Sequence, residues 1–452
     1  MRGSITLAVA VLLATLFGAV QAADEPTTQP VRERQIESAI DVDRVWSGHP
    51  VGFALLTHRD RQFVAYYDHQ RRMAVASRPL DALQWQRIHL PEQLGWDSHN
   101  YITLAVDDDD HLHLSGNMHG NPLVYFRTTR PLDIVSFERI PAMVGQREQR
   151  VTYPQFLRGP DNRLLYTYRD GGSGNGEQIF NVYDLAQRRW QRLIDQPLLS
   201  GEGKMNAYFN GPTRGPDGLY HLCWVWRDTP DCATNHSLSY ARSRDLVNWE
   251  TSAGKPIALP ITLATGEIVD PVPPGGGIIN GNTRIGFDAQ RRPVISYHKH
   301  DEQGHTQVYN ARLEDGHWRI YQASDWDSRW DFSGGGSIRF EIRVSPIQVA
   351  SDRTLTQAYS HDKHGSGIWQ LDPETFKAVG RAPAHRSNLP KELRQVASDV
   401  PGMMVRTQSD TGRGPHPQVS YMLRWETLGP NRDRPREGTP PPPSMLRLYA
   451  IR

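Results

Sequence analysis

Short runs of alternating apolar and polar residues dominate this chain, broken by clusters of Gly, Pro, Asn and Asp. The clearest run places Ile102, Leu104 and Val106 before Asp107–Asp110, and Leu112 and Leu114 after them. A period of two predicts a strand, a tight turn and a second strand. Asp supplies turn geometry and solubility together, so the four aspartates predict a turn and not a metal loop. An antiparallel hairpin about that turn returns His99 and His119 to one open end. His111 and His113 fall within it as packing residues. Many Gly and Pro, 12 Trp and 17 Tyr, with no long helical periodicity, point to an all-β chain.

The pattern repeats. Ser77-Arg78-Pro79-Leu80-Asp81 with Trp85-Gln86-Arg87 recurs 52 positions later as Thr129-Arg130-Pro131-Leu132-Asp133 with Phe137-Glu138-Arg139. Weaker echoes stand at Tyr183-Asp184-Leu185 with Trp190, and at Ser243-Arg244-Asp245-Leu246 with Trp249. Two more, His317-Trp318-Arg319 and Thr375-Phe376, are degenerate. A period near ~50 residues with about four strands per unit predicts a β-propeller of four-stranded antiparallel blades. Units are expected at 51–90, 100–141, 152–195, 207–252, 280–322, 335–378 and 395–425. The segments 36–47 and 446–452 complete the last unit across the termini, which makes seven blades. The echoes are degenerate Asp-box motifs, in which Asp bonds a turn and Trp packs between blades. Pro430–Pro443 is expected as an irregular excursion. Gly254–Gly277 is a long connection, either a functional loop or an exposed insertion.

The amino-terminal segment adds a destination. Arg2, an apolar run from Ile5 to Val20 and the small-residue end Val20-Gln21-Ala22 predict a secretory signal peptide over 1–22. The run is shorter than the ~20 residues a membrane span needs. The expected organisation is that signal followed by a single seven-bladed propeller catalytic domain over 23–452. The protein is then periplasmic or extracellular, monomeric and free of the membrane after cleavage. With 51 Lys and Arg against 50 Asp and Glu, no bulk charge draws nucleic acid or an anionic membrane. An acidic ligand must be held by a local cluster.

Hairpin geometry indicates where such a cluster lies. Tyr153 and Arg169 bracket the turn Gly159-Pro160-Asp161-Asn162, as His99 and His119 bracket theirs. Tyr208 and Arg227 bracket Gly215-Pro216-Asp217-Gly218, and Tyr297-His298-Lys299-His300 ends a strand of the next unit. These residues converge on one rim, and none of the strand-end positions carries a carboxylate. Arg clamps carboxylate or sulfate in a planar fork. Tyr and His act as general acid and base when their surroundings tune them. Glycosidases generally use two carboxylates, so the inventory fits β-elimination from a uronic acid better. Gly171–Gly176 lacks a following Lys-Ser/Thr and a helix, which argues against a phosphate loop. Its glycines are expected to let the chain turn closely beside Arg169.

The strings His99-Asn100, His113, Gly116-Asn117-Met118-His119 and Pro122–Arg127 resemble the secreted seven-bladed propeller polysaccharide lyases that cleave ulvan. So do Thr152–Phe156, Tyr168–Gly176, Ala207-Tyr208, Trp224–Arg227, Asn235-His236, Tyr240–Ser243 and, more weakly, Trp330–Gly336. The resemblance implies His99 and Tyr153 as the acid/base pair and Arg169 as the group neutralising the uronate carboxylate. It places His119 and Tyr208 in the same site as substrate-orienting groups; Arg227 and His300 join them as substrate-binding candidates from the rim. The implied partner is an anionic rhamnose/glucuronate polysaccharide, and the chemistry needs no cofactor. The same fold group is similar to rhamnosyl-glucuronate hydrolases, so a hydrolase and a non-catalytic glycan-binding propeller stand as alternatives. The cysteines also leave alternatives open. His221, Cys223, Cys232 and His236 offer four N/S ligands of the kind a structural zinc takes, which the resemblance allows. A Cys223–Cys232 disulfide is permitted in an exported protein, and two free thiols are a third state.

Overall fold

The computed structural model describes residues 34–382 and 389–452; the predicted signal peptide lies outside them. Among the described residues the strands form seven antiparallel sheets, the blades of a seven-bladed propeller. Blade 1 runs through Ala54–His58, Arg61–Tyr67, Arg72–Pro79 and Gln86–Gln93. Blade 2 contains Ile102–Val106, Leu112–Gly116, Tyr125–Thr128 and Phe137–Arg139, and blade 3 is built on Val151–Arg158, Leu164–Gly172, Asn175–Asp184 and Arg189–Arg192. Blade 4 starts at Asn206–Arg214, blade 5 at Arg284–Phe287, blade 6 at Ile342–Val344 and blade 7 at Met403–Ser409. Ile36–Val45 pairs antiparallel with Ser444–Ile451, so the amino-terminal strand becomes the outermost strand of blade 7. Trp425 of blade 7 stacks on Phe53 at the start of blade 1, with ring centroids 4.5 Å apart.

Strict alternation holds on some strands and fails on others for one reason. In Arg61–Tyr67 every residue after Arg61 is buried, because a middle strand lies between two neighbouring blades and hides both faces. In the outer strand Gln86–Gln93 only Leu90 is fully buried. The Asp-box echoes are turn devices. Asp245 accepts the backbone N–H groups of Val247 (2.9 Å) and Asn248 (2.7 Å), and buried Trp249 donates Nε1–H to the Leu246 carbonyl at 3.2 Å. Asp133 caps its turn through the Val135 N–H at 3.0 Å.

Two segments leave their expected places. His119–Asn121 departs from blade 2 and pairs with Val151–Arg158 on the inner edge of blade 3. The Gly254–Gly277 connection is not an exposed insertion throughout. Ile261 is fully buried and exchanges backbone hydrogen bonds with Leu198 and Ser200, and Glu267–Asp270 adds a strand to blade 4.

Candidate functional site

The first strand of each blade is innermost, and its start lies on the face opposite the Asp107–Asp110 turn. Four local devices bring the predicted rim residues together on that face. Asp97 accepts the backbone N–H of His99 at 2.9 Å, which shapes the turn ahead of the strand Ile102–Val106. The short strand His119–Asn121, held by the Gly120 N–H to Thr152 Oγ1 bond at 2.7 Å, carries His119 against blade 3. Tyr153 stands at a break in register between Thr152 and Gln155 with φ of +57°, a left-handed conformation rare for an aromatic residue. Such strain is worth about 1–3 kcal/mol and re-aims the side chain out of the ladder. Gly176 admits Arg169, since a Cβ there would lie 2.8 Å from Arg169 Cδ.

The result is a compact aromatic and cationic cluster. The His99 and His119 rings are 4.3 Å apart, and Tyr153 lies 5.8 Å and 6.1 Å from them. The Arg169 guanidinium carbon lies 4.9 Å from the Tyr153 ring and 5.7 Å from the Tyr208 ring, and Nη1 donates to the Tyr208 hydroxyl at 3.2 Å. Ser173 Oγ meets the same hydroxyl at 2.6 Å. Arg227 packs 5.4 Å from the Tyr208 ring and donates Nε–H to the Thr229 carbonyl at 3.1 Å. His99, His119, Tyr153, Tyr208 and Arg227 line a cleft of about 280 Å³. Arg169 lines a second cavity of about 360 Å³ directly beneath, which shares Tyr153 and Tyr208 with the cleft.

Two carboxylates absent from the rim inventory complete the site. Asp97 accepts His99 Nδ1–H at 2.7 Å through one oxygen and His119 Nδ1–H at 2.5 Å through the other. Asp433, from the Pro-rich excursion, accepts the Ser98 hydroxyl at 2.6 Å and the Ser337 N–H at 2.7 Å, and its Oδ2 lies 3.3 Å from His99 Nδ1. Both imidazoles are thus anchored through Nδ1, which leaves Nε2 for the cleft. Asp97 is visible in sequence two residues before His99. Asp433 has no local signal, because only the return of the chain over the seventh blade brings it there.

These contacts set the protonation states. Burial opposes a charge on His99, but hydrogen bonds and charges from Asp433 and Asp97 outweigh it and raise its pKa to about 9. Burial likewise opposes ionisation of Asp97 and Asp433, yet the bonds from His119 and His99 to the first, and from His99 and Ser98 to the second, hold both well below the usual carboxylate range. Burial, then the neighbouring Tyr208, lifts the Tyr153 phenol above the ordinary tyrosine range against the pull of Arg169 and Arg227.

Of the other candidates, Cys232 lines the cleft while His221, Cys223, His236 and His300 lie outside its lining. His300 is not in the cleft: the turn at Gly276-Gly277 covers it, and it bonds Thr306 Oγ1 at 3.1 Å. The four zinc candidates are not brought together. His221 is held by Tyr240 (2.6 Å) and Asp217 (3.0 Å), and His236 by Asp228 and Ser237, both at 3.0 Å. Cys223 and Cys232 are free thiols buried in separate hydrophobic clusters. The strand Tyr220–Arg227 explains the separation: Trp226 pairs with His236 while His221 pairs with Arg242, five residues or about 17 Å down the strand. Among the described residues, the group whose ligand atoms lie within 4.8 Å of one another is instead Asp97, His99 and His119. A divalent cation there would compete for the Nδ1–carboxylate bonds.

A model described as a BNR repeat-containing family member matches residues 61–326. The short isoform of an ulvan lyase from Alteromonas sp. (strain LOR) is 36% identical over 58 residues, covering 13% of this chain and 11% of that protein. The chain therefore matches about a tenth of that relative's length. Among solved structures, polysaccharide lyase Uly1 superposes with a TM-score of 0.59 at 15% identity, over 92% of this chain and 99% of that one. The PL25 ulvan lyase superposes with a TM-score of 0.56 at 14% identity, over 86% and 96%, as does its structure bound to -[GlcA(1-4)Rha3S]-. At these identities the likeness is one of fold.

Proposed function

The chain belongs to the BNR repeat-containing family, and on that premise we propose that it is a polysaccharide lyase. Its substrate is a uronate-containing, ulvan-like rhamnose/glucuronate glycan, cleaved by β-elimination. One observation carries this reading. Arg169 is 3% exposed, has no carboxylate partner among the described residues, and its Nε is buried without a hydrogen bond. A buried, under-bonded guanidinium is costly unless an acceptor arrives with the ligand. A uronate carboxylate is such an acceptor, and neutralising it acidifies the neighbouring C5–H. The base removes that proton, the electron pair forms the C4=C5 double bond, the C4–O bond breaks, and the acid protonates the departing oxygen.

His99 serves as base and Tyr153 as acid in this scheme. The phenol is held above its ordinary range while the imidazolium titrates near about 9. The pair therefore populates neutral imidazole with phenol far more than imidazolium with phenolate. Asp97 and Asp433 are not the free acid/base pair of a glycosidase, because their oxygens are committed to His99, His119, Ser98 and Ser337. Export fits a polysaccharide substrate, and no described helix is long and apolar enough to cross a membrane.

Incubation with ulvan is expected to raise ultraviolet absorbance as the unsaturated uronate forms. New reducing ends without that absorbance would show a hydrolase, and binding without either would show a recognition module. A pH profile tests the assignment of roles. Because the base must be unprotonated, kcat/KM should rise with pH and level off near about 9. Asp433→Asn removes a charge that favours the imidazolium, so the rising limb should move toward neutral pH. A limb that stays in place would remove Asp433 from control of His99.

A further inference from the structure

Beneath the cleft, cavities follow one another along the propeller axis. The 360 Å³ cavity shares Tyr101 and Gln155 with a second of about 390 Å³, and the second shares Leu104 and Thr411 with a third of about 720 Å³ at the opposite mouth. Charge separates them. At the opposite mouth Asp107, Asp108 and Asp110 stand among the cations and pair two of its three arginines, Arg158 with Asp108 at 3.1 Å and Arg59 with Asp110 at 2.8 Å, while His58 bonds the same Asp110 at 2.8 Å. The walls of the two upper cavities hold Arg169 and Arg406 and no carboxylate.

Arg406 is not alone at this level. It lies on Met403–Ser409, while Arg343 and Arg284 lie on Ile342–Val344 and Arg284–Phe287, the innermost strands of the two preceding blades. Three consecutive blades thus carry an arginine on the axial strand. The Arg284 guanidinium bonds the Thr283 and Gly281 carbonyls, both at 2.8 Å, and Arg343 packs 5.2 Å from the Phe340 ring. None of the three forms an ion pair among the described residues. Arg406 and Arg343 are exposed on their strands and Arg284 is half-buried. The protein packed around Arg406 and Arg284, and then the positive charge of Arg343, lowers the pKa of both. Guanidinium stays charged under such pressure, so the well holds an uncompensated positive potential. The donors above it point the same way. Asn206 is 2% exposed, and its Nδ2 is buried in the wall of the upper cavity without a partner, as is Arg169 Nε.

We propose that the axial well below the cleft is an oxyanion-binding site for a sulfate or carboxylate group, with Arg406 as its principal contact and Arg343 and Arg284 supplying its field. The cavities fall within the ~300–1,000 Å³ range of small-ligand sites. Forked guanidinium donors match either anion. The site stands on the charge of the channel, so it holds whether the cleft above eliminates, hydrolyses or only binds.

Calorimetric titration of the full chain with sodium sulfate at fixed ionic strength, alongside selenate-soaked crystals, tests it. Sulfate should bind, an anomalous selenate peak should lie within hydrogen-bond reach of Arg406, and Arg406→Gln should weaken sulfate tenfold or more without lowering Tm. Weaker binding of a sulfated uronate oligosaccharide to Arg406→Gln, with competition by free sulfate on the intact protein, assigns the well to a group borne on a glycan. Unchanged oligosaccharide affinity with lost sulfate binding assigns it to the free ion. Absence of the selenate peak from the channel, or equal sulfate affinity in the variant, overturns the site. Should Arg406→Gln fail to fold, the selenate map of the unaltered protein decides.

Discussion

His99→Ala is expected to lower kcat for elimination by about 10²–10⁴-fold, the range that a positioned general acid or base contributes. The structure separates this loss from unfolding. His99 lies in a turn ahead of its strand, half-buried at the cleft, and belongs to no hydrophobic core cluster. Its partners keep other bonds: Asp97 still holds His119, and Asp433 still holds Ser98 and Ser337. Rates from product absorbance, beside circular dichroism and Tm, check both halves of the expectation. Full activity in a folded variant would falsify the role given to His99.

The second large effect is at Arg169. Arg169→Lys keeps the charge but loses the fork, and turnover should fall by roughly 10²–10³-fold, the scale of removing one donor that stabilises developing charge. The side chain sits between Tyr153 and Tyr208, bonds the Tyr208 hydroxyl, and runs through space that only a glycine at 176 leaves open. An ammonium in that slot cannot bond the hydroxyl and also grip both oxygens of a carboxylate. The fall should appear in kcat more than in KM, since the carboxylate gains charge as C5–H breaks. An unchanged rate would remove Arg169 from the neutralising role.

Some of this was readable from particular residues. Ile102, Leu104 and Val106 alternate around a turn of aspartates, and strand parity is a local property, so His99 and His119 could be sent to one end without knowing the fold. Mirrored placement did the same for Tyr153, Arg169, Tyr208 and Arg227. The inference failed where a neighbouring element intervenes. His300 ends its strand as expected, but the turn at Gly276-Gly277 covers it. The zinc ligand spacing looked compact along the chain, yet antiparallel pairing sends His221 and His236 to different depths.

By itself, the sequence determined the strands, the repeat and the end of each hairpin at which the candidate residues stand, because period, turn chemistry and parity are local. Only the tertiary structure decided which carboxylates meet the histidines and which arginines share the axis. Asp433 reaches His99 through the closing return of the chain. Arg284, Arg343 and Arg406 belong to three separate blades, and Arg343 acts on both others because the ring brings those innermost strands to one axis. Such meetings depend on the angle between blades and on ring closure, and no spacing along a chain records either.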